Sequence, residues 1–354
     1  MILKKILSFA ASIIKLFILI FFTTNLNSEE KNSKYYNEDL GTLAIMYHRF
    51  EENEYPSTNV KIDIFKKQVA LIKKKNLLFY NLDDFNSNFN KPKNDKKILL
   101  TIDDAFTSFY EHAWPYLNEN KIPFILFVST QHVGKYGYMS WEQIKEIEKE
   151  NFAFIGNHSH SHEYLVNYDF QSFKDDIDQS IKIFINKLGY NPIYFSYPFG
   201  EFSLEQKNYI KKNFKYGFGQ HSGVIDTNKD KFELPRFPIN EKYGELKRFS
   251  SLLKTLPFKY NKILPEEKYL RQSKNPPKVK IEFLEEIKNI NQITCYSNEG
   301  NKWRNSKINF LDNKNLEILI EEKFIGERGR INCSLREKQG HWRWLGIQFV
   351  IAEN

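Results

Sequence analysis

Short apolar runs alternate with amphipathic segments over roughly the first two-thirds of the chain. The runs "KKILLTIDD", "PFILFVST" and "FAFIGNHSHSH" have the continuous apolar character of strands buried in a parallel sheet. Between such runs lie segments with apolar residues at helical spacing, for example "IDIFKKQVALIKKKNL". This repeated order of strand, loop and helix predicts an α/β fold built on a parallel sheet or a (β/α) barrel.

Two of the predicted helices carry clear boundary signals. In "SWEQIKEIEKEN", Ser140 is followed three residues later by Gln143, which is the pattern of a capping box at a helix start. The amphipathic segment "DFQSFKDDIDQSIKIFINKLG" ends at Gly189, a residue type that commonly terminates helices.

Polar residues collect directly after several predicted strands. Asp103 and Asp104 follow one strand, histidines fill the segment 158–162 after another, and "YPFG" (197–200) and His221 follow two more. Functional residues of parallel α/β folds gather at the carboxyl ends of the strands. We therefore expect these four segments to share one rim of the fold.

The character of the sequence changes from about residue 258. The segment 258–277 contains Pro276-Pro277 and is predicted to be a linker between a barrel over residues 29–257 and a second domain. Residues 278–354 consist of short alternating segments such as "KVKIEF" and "WRWLGIQFVI", which predict a small all-β module. Cys295 and Cys333 both lie in this module, and the sequence is compatible with a disulfide or with two buried thiols.

The N-terminus has the layout of a secretory signal peptide over residues 1–28, with two early lysines, an apolar stretch and a polar exit. The alternative is that this segment stays uncleaved and anchors the protein in a membrane. Membrane contact is expected only in that case. We expect an exported protein, periplasmic or secreted. The net charge of +8 comes from scattered basic residues without an arginine-rich run, so the sequence does not indicate nucleic-acid binding.

The strand-end residues have the composition of a metal site. His158 and His162 are four residues apart, so on a helical turn they would project from one face and share an ion. Asp104 can supply a carboxylate, and two imidazoles with one carboxylate leave open positions on a divalent cation. Asp103 is then free to act as general base for a metal-bound water.

The motifs "TIDDA", "HSHSH" and "SYPFG" occur in the same order as those of the polysaccharide deacetylase family, carbohydrate esterase family 4, which residues 42–245 resemble. The resemblance implies a distorted (β/α) barrel with an active-site groove and a divalent metal ion, with zinc as the expected ion. It also implies Asp103 as general base and Asp104, His158 and His162 as metal ligands. The third motif would form a wall of the groove with Tyr197, Pro198, Phe199 and Gly200. A backbone amide of this motif would help to stabilise the oxyanion.

The sequence departs from the family pattern at three places. Ala105 replaces the glycine that follows the aspartates, and Ser196 stands where an arginine commonly orients the base. Arg236 could supply that charge from another loop, and it is also a candidate substrate-binding residue. A C-terminal Leu-x-x-His segment is not found, so His221 is the candidate to protonate the leaving amine, with a loop histidine that only shapes the groove as the alternative.

Two further residues are candidates for the rim of the groove. His48 ends the first strand in "MYHR", and Trp141 could stack on a sugar ring. The alternatives are a buried structural histidine and a core tryptophan at a helix start.

The expected activity is removal of N-acetyl groups from a polysaccharide or oligosaccharide with N-acetylglucosamine-type units, outside the cytoplasm. Three alternatives remain open at this point. They are an O-acetyl esterase on the same class of glycan, an inactive glycan-binding relative, and an Fe(II) oxygenase that uses the same two histidines and one carboxylate.

Overall fold

A computed structural model of the protein describes residues 39–92 and 94–352. The predicted signal peptide or anchor, residues 1–28, lies outside the described residues. Among the helices that the structure describes, none has both the length and the apolar character needed to cross a membrane.

The first part of the described chain forms a curled parallel sheet with helices between its strands. The strands are β1 (Thr42–Tyr47), β2 (Arg49–Phe50), β3 (Asn59–Val60), β4 (Leu78–Phe79), β5 (Lys97–Ile102), β6 (Phe124–Val128), β7 (Ala153–Asn157), β8 (Tyr194–Ser196), β9 (Tyr216–Phe218) and β10 (Phe237–Pro238). The helices are α1 (Ile62–Lys74), α2 (Leu82–Asn88), α3 (Trp114–Glu119), α4 (Trp141–Glu148), α5 (Phe170–Leu188), α6 (Leu204–Asn213) and α7 (Leu246–Leu252).

Within the described residues the main sheet runs in the order β10-β1-β5-β6-β7-β8-β9, with β4 also paired to β5, and all these pairs are parallel. The predicted distorted (β/α) barrel is thereby confirmed. Strands β1, β5 and β6 are buried at almost every position, as expected for strands covered on both sides. The predicted helix boundaries are confirmed too, because Ser140 and Gln143 form the capping box and Gly189 ends α5 with φ +86°.

The sheet curls far enough for its two edges to be joined by one segment. Gly219 N–H donates to Leu234 O (2.9 Å), and Leu234 N–H donates to Gly217 O (2.9 Å), so residues 231–236 run beside β9. The same segment continues into β10, which pairs with β1. This segment closes the barrel, and it carries Arg236 past the carboxyl ends of the strands.

The C-terminal part consists of two further sheets, here called the β module. Its strands are β11 (Thr255–Pro257), β12 (Tyr260–Leu264), β13 (Tyr269–Leu270), β14 (Val279–Phe283), β15 (Thr294–Ser297), β16 (Arg304–Asn305), β17 (Lys307–Phe310), β18 (Asn315–Leu319), β19 (Arg328–Arg336) and β20 (Trp342–Ile351). One sheet runs β11-β20-β19-β15-β16 with β13 beside β20, and the other runs β12-β14-β18-β17. Apolar side chains from both sheets form one shared core.

Two findings in the β module bear on the sequence analysis. The segment 258–277 is not a linker, because β12 and β13 lie in it and pair with β14 and β20. Prolines suggested a linker, but tertiary pairing places this segment inside the module. Cys295 and Cys333 face each other on β15 and β19 and form a disulfide.

The β module packs directly on the barrel rim. Trp344 on β20 donates its indole N–H to Ser222 Oγ (2.7 Å), and Gly346 N–H donates to Ser222 O (2.6 Å). Gly346 has no space for a side chain, since a Cβ there would lie 2.4 Å from Ser222 O. The close approach of β20 to the loop after β9 therefore depends on this glycine.

Candidate active site

Asp103 lies at the end of β5 and is completely buried against Arg236. Arg236 donates from Nη1 to Asp103 Oδ1 (2.6 Å) and from Nη2 to Asp103 Oδ2 (2.8 Å), which is a bidentate ion pair. Its other N–H groups donate to Gly219 O (2.9 Å), Thr101 Oγ1 (3.1 Å) and Ser196 Oγ (2.8 Å). All five N–H groups of the guanidinium are thus satisfied, as burial of this cation requires.

This environment keeps Asp103 ionised. Burial alone would raise the pKa of Asp103, but the positive charge and hydrogen bonds of Arg236, together with His158, outweigh it and hold the pKa below its ordinary value. Arg236 therefore supplies the charge that the family places at the position of Ser196. Arg236 has no exposed surface, so the prediction that it contacts substrate is wrong.

Asp104, His158 and His162 converge beside this pair. Asp104 Oδ1 lies 3.1 Å from His162 Nε2 and 3.4 Å from His158 Nε2, and the three ligand atoms all lie within 4.8 Å of one another. His158 Nδ1–H donates to Ser196 O (2.7 Å), which turns Nε2 toward Asp104. The structure thus brings together the three ligands that the sequence predicts.

The donor set fits a divalent cation. Asp104 Oδ1 and His158 Nε2 are buried, and neither makes a hydrogen bond with any residue that the structure describes. Buried polar atoms without hydrogen-bond partners are rare. Two such atoms 3.4 Å apart, a carboxylate oxygen and an imidazole nitrogen, are what a metal-binding site without its ion would contain. Burial opposes ionisation of Asp104, but His162 and His158 hold its pKa well below the ordinary value. Two imidazole nitrogens and one carboxylate oxygen suit zinc and related ions.

The histidine pair is not carried on a helical turn, and that prediction is wrong. Residues 158–162 form a loop in which Ser159 (φ +69°) and His162 (φ +54°) adopt left-handed conformations. Asn157 Oδ1 accepts from Ser159 N–H (2.8 Å), and Ser159 Oγ accepts from His162 N–H (3.0 Å). These side-chain bonds replace the helical hydrogen bonds and fold the loop so that both rings reach Asp104.

His160 lies outside the trio. Its ring Nδ1 is 2.9 Å from Thr130 Oγ1, and its backbone N–H donates to Asp176 Oδ1 (2.8 Å). Asp176 Oδ2 also accepts from Ser161 N–H (2.9 Å), so the carboxylate of Asp176 on α5 holds the middle of the loop.

The chain turns sharply after β5, and the two adjacent aspartates have different partners, Arg236 for Asp103 and the two histidines for Asp104. Asp104 (φ +75°) and Ala105 (φ +55°) are both left-handed, a conformation that favours glycine and costs other residues roughly 1–2 kcal/mol. The family glycine is therefore replaced here by a residue with a Cβ at a position where glycine would be unstrained.

The predicted groove wall at 197–200 contributes one half-buried ring, that of Phe199. Tyr197, Pro198 and Gly200 are buried, and Tyr197 donates its hydroxyl to Phe232 O (3.1 Å), so a contact of these three side chains with substrate is not supported. Phe199 (φ +57°) is half-buried, and its ring lies 4.9 Å from that of His162. Gly200 is required at its place because a Cβ would lie 2.4 Å from Gln220 N.

Of the candidate histidines, His48 faces the cluster and His221 does not. Burial lowers the pKa of His48, while the charges of Asp104 and Asp103 oppose the shift. Burial lowers the pKa of His221 to about 4, and the charges that act on it most are Glu233 and three lysines. None of the charges that act most on His221 belongs to the Asp–His cluster, which argues against His221 as the acid.

Trp141 belongs to the core. It is the first residue of α4, and its ring packs edge-on against the buried Phe184 at 5.8 Å between centroids. The alternative of a core tryptophan therefore agrees with the structure, and stacking of Trp141 on a sugar does not.

His132 at the rim was not identified from the sequence. Its ring lies 6.5 Å from that of His162, stacks on Tyr138 at 4.8 Å and contacts Ser129 Oγ through Nδ1 (3.1 Å). His132 follows β6 and therefore lies at the same rim as the other strand ends. This position could have identified it as a candidate from the sequence.

Open clefts adjoin the site on two sides. On the β1 side, a cleft of about 1020 Å³ is lined by Arg49, Tyr55, Phe106, Tyr136 and Tyr138, among others. On the β8 side, a cleft of about 420 Å³ begins at Tyr164 and extends to the β module. Aromatic and charged linings of this kind suit a polar ligand. The second cleft is connected to the Asp–His cluster through Phe199, whose ring packs on both Tyr164 and His162.

The comparisons with known proteins agree with this arrangement. Residues 90–217 match the family model named Polysaccharide deacetylase. The poly-beta-1,6-N-acetyl-D-glucosamine N-deacetylase of Staphylococcus aureus (strain MSSA476) is 24% identical over 246 residues, which are 61% of this chain and 84% of that protein.

Two solved structures show the same fold. The structure of IcaB from Ammonifex degensii aligns with a TM-score of 0.53 and 23% identity, covering 61% of this chain and 98% of that one. The Streptococcus pyogenes deacetylase PplD aligns with a TM-score of 0.54 and 20% identity, covering 60% of this chain and 99% of that one. The chain thus contains a polysaccharide deacetylase domain over residues 90–217, which carries the three motifs and most of the barrel, and by class it is a carbohydrate deacetylase.

Proposed function

We propose that this protein is a metal-dependent hydrolase that removes N-acetyl groups from N-acetylglucosamine-type units of a polysaccharide. The observation that carries the proposal is the pairing of two adjacent carboxylates with different surroundings. Asp103 forms a bidentate ion pair with Arg236, whereas Asp104 lies beside His158 and His162. The relative in Staphylococcus aureus, named for N-deacetylation of poly-beta-1,6-N-acetyl-D-glucosamine, supports this class of substrate.

Asp104, His158 and His162 would hold the divalent ion. Such an ion polarises a bound carbonyl and lowers the pKa of water, which makes hydrolysis of an amide feasible at neutral pH. Asp103 has its Oδ2 3.8 Å from His158 Nε2, at the edge of the cluster. Because its pKa is held below the ordinary value, it is ionised at neutral pH and is assigned as the base that takes the proton of the attacking water.

Two further groups complete the proposed chemistry. The backbone N–H groups of Tyr197 and Gly200 donate to carbonyls in the barrel, so within "YPFG" the Phe199 amide is assigned to the oxyanion. His48 is assigned as the group that protonates the departing sugar nitrogen, since both aspartates act on it and it is half-buried at the end of β1.

We further propose that the protein acts outside the cytoplasm. The N-terminal pattern of residues 1–28 supports export. The disulfide between Cys295 and Cys333 supports it independently, because such bonds persist in oxidising compartments.

An acetate-release assay tests the proposed function. The purified protein is incubated with N-acetylglucosamine oligomers of different linkage and with O-acetylated glycans, before chelation, after chelation and after zinc add-back. We expect acetate from N-acetylated oligomers, loss of release on chelation and recovery with metal. Asp103→Asn should abolish release but still bind zinc. Release from O-acetylated glycans alone, or release that survives both chelation and Asp103→Asn, would refute the proposal.

His48 and His221 make opposite predictions in the same assay. His48→Gln removes the assigned proton donor and should lower kcat by about 10²–10⁴-fold with little change in KM. His221→Gln, the matched control, should stay within a few-fold of wild type. The assignment fails if His221→Gln is the more damaging change.

A further inference from the structure

The β module holds the loop that forms one wall of the site. Gln348 on β20 donates from Nε2 to the carbonyl of Phe199 (3.2 Å), and Arg328 on β19 forms an ion pair with Glu201. Both contacts fall on the loop after β8, one at Phe199 itself and the other two residues beyond it. The position of the Phe199 ring therefore depends on a part of the chain that lies outside the barrel.

Phe199 connects the metal ligands to the β module. Its ring stacks on Tyr164 with 4.2 Å between centroids and 7° between planes, and the ring of His162 lies edge-on at 4.9 Å. The guanidinium of Arg328 lies 5.6 Å from the Phe199 centroid, on the side of the β module. These four side chains form a continuous surface from the catalytic cluster to the module.

A cleft begins where this surface ends. It has a volume of about 420 Å³ and includes Tyr164, Asn167 and Glu201 from the barrel side. The β module supplies the opposite wall with Lys323, Ile325 and Glu327. Its volume falls within the range of about 300–1,000 Å³ that is typical of ligand clefts.

The lining of this cleft matches the chemistry of a sugar chain. A pyranose ring has apolar C–H faces and a rim of hydroxyl groups. Tyr164 is 39% exposed and Ile325 is 60% exposed, which provides apolar surface for the ring faces. Glu327, Asn167 and Lys323 provide acceptors and donors for the hydroxyl groups.

We propose that this cleft binds further sugar units of the glycan whose acetamide is presented to Asp103, so that the β module is part of the substrate-binding surface. The proposal rests on the proposed deacetylase function and deepens it, because it gives the β module a part in binding the glycan. The family match ends at residue 217, so the module wall of the cleft lies outside the matched domain.

Chain-length dependence tests this proposal. The full-length enzyme is assayed for acetate release from two-unit and six-unit N-acetylglucosamine oligomers. Both oligomers have the linkage from which the enzyme releases most acetate. Lys323→Ala/Ile325→Ala removes two exposed side chains of the module wall. Lys307→Ala/Leu319→Ala is the matched control, since it removes an exposed lysine and an exposed aliphatic side chain from β17 and β18, outside the cleft.

The cleft variant should lower kcat/KM on the six-unit oligomer by about tenfold, the effect of one lost well-packed contact, and leave the two-unit value within twofold. The control should match wild type on both. Activity on the two-unit oligomer shows that the variant is folded. Equal values for the cleft variant and the control on the six-unit oligomer would overturn the cleft proposal alone. No release from either oligomer by wild type would overturn the deacetylase function, and the cleft proposal with it.

Discussion

At the scale of single residues, the site is organised around a carboxylate that is charged and completely buried. Burying an ion pair costs free energy unless its hydrogen bonds are complete. Arg236 meets this condition, because its five N–H groups reach both oxygens of Asp103 and three neutral oxygens. The pair therefore fixes the base in one orientation and keeps it ionised beside the cluster of Asp104.

Replacing Arg236 by lysine should show whether catalysis depends on the orientation of Asp103 or only on a positive charge beside it. Arg236→Lys keeps the charge but loses the bidentate geometry, so we expect kcat to fall by about 10²-fold with KM little changed. The pKa of Asp103 should rise, so the acidic limb of the pH–rate profile should move to higher pH. Arg248→Lys on the exposed surface of α7 is the control and should match wild type. An Arg236→Lys enzyme with wild-type kcat and pH profile would contradict the positioning role.

At the scale of elements, loops rather than regular structure deliver the metal ligands. Asp104 follows β5 in a left-handed turn, and His158 and His162 lie in a loop with two left-handed residues. Such conformations are costly and persist when surrounding bonds hold them. Here Asn157, Ser159 and Asp176 supply those bonds.

The disulfide between β15 and β19 should be a main source of stability for the β module. It closes a loop with a sequence separation of 38 residues, for which chain entropy predicts about 4 kcal/mol. We expect Cys295→Ala/Cys333→Ala to lower the free energy of unfolding by this order in a denaturant titration under non-reducing conditions. Reductant should destabilise wild type and leave the double variant unchanged. Titration of two free thiols in unreduced, denatured wild type would contradict the assignment.

At the scale of the whole molecule, charged groups of the barrel and of the β module act on one histidine, His221. Lys207 on α6 lies 3.0 Å from both Asp230 and Glu233, in the segment that closes the barrel. Lys268 of the module and Glu233 both act on His221, which is buried among them. The junction between the two parts is therefore sensitive to protonation.

The burial of His221 predicts a loss of stability in mild acid. The pKa of His221 is lowered by burial to about 4 in the folded protein, against 6.5 for an unperturbed histidine. Between these values the unfolded state binds the proton and the folded state does not, so the free energy of unfolding falls as pH decreases from about 6.5 to 4. His221→Gln should show a smaller decrease in Tm over this interval. The reference is pH 7.5, where the side chain at position 221 is neutral in both wild type and His221→Gln. Parallel curves of Tm against pH for these two proteins would refute the prediction.

Much of the architecture follows from local patterns. Continuous apolar runs indicated the parallel strands, and residues such as Ser140 and Gly189 marked helix ends that the structure confirms. Two local predictions were wrong for identifiable reasons. Spacing alone does not distinguish a helical turn from the loop at 158–162, and prolines in the segment 258–277 did not prevent it from pairing in the module.

The sequence by itself determined the types and order of the reactive groups, because Asp103, Asp104, His158 and His162 lie in short motifs whose strands place them at one rim. Tertiary structure alone decided which distant residues join them. Arg236 reaches Asp103 across 133 residues because the barrel closes beside β9, and the β module reaches Phe199 because β20 packs on the rim. Such contacts depend on strand register and closure, which no local pattern of residues encodes.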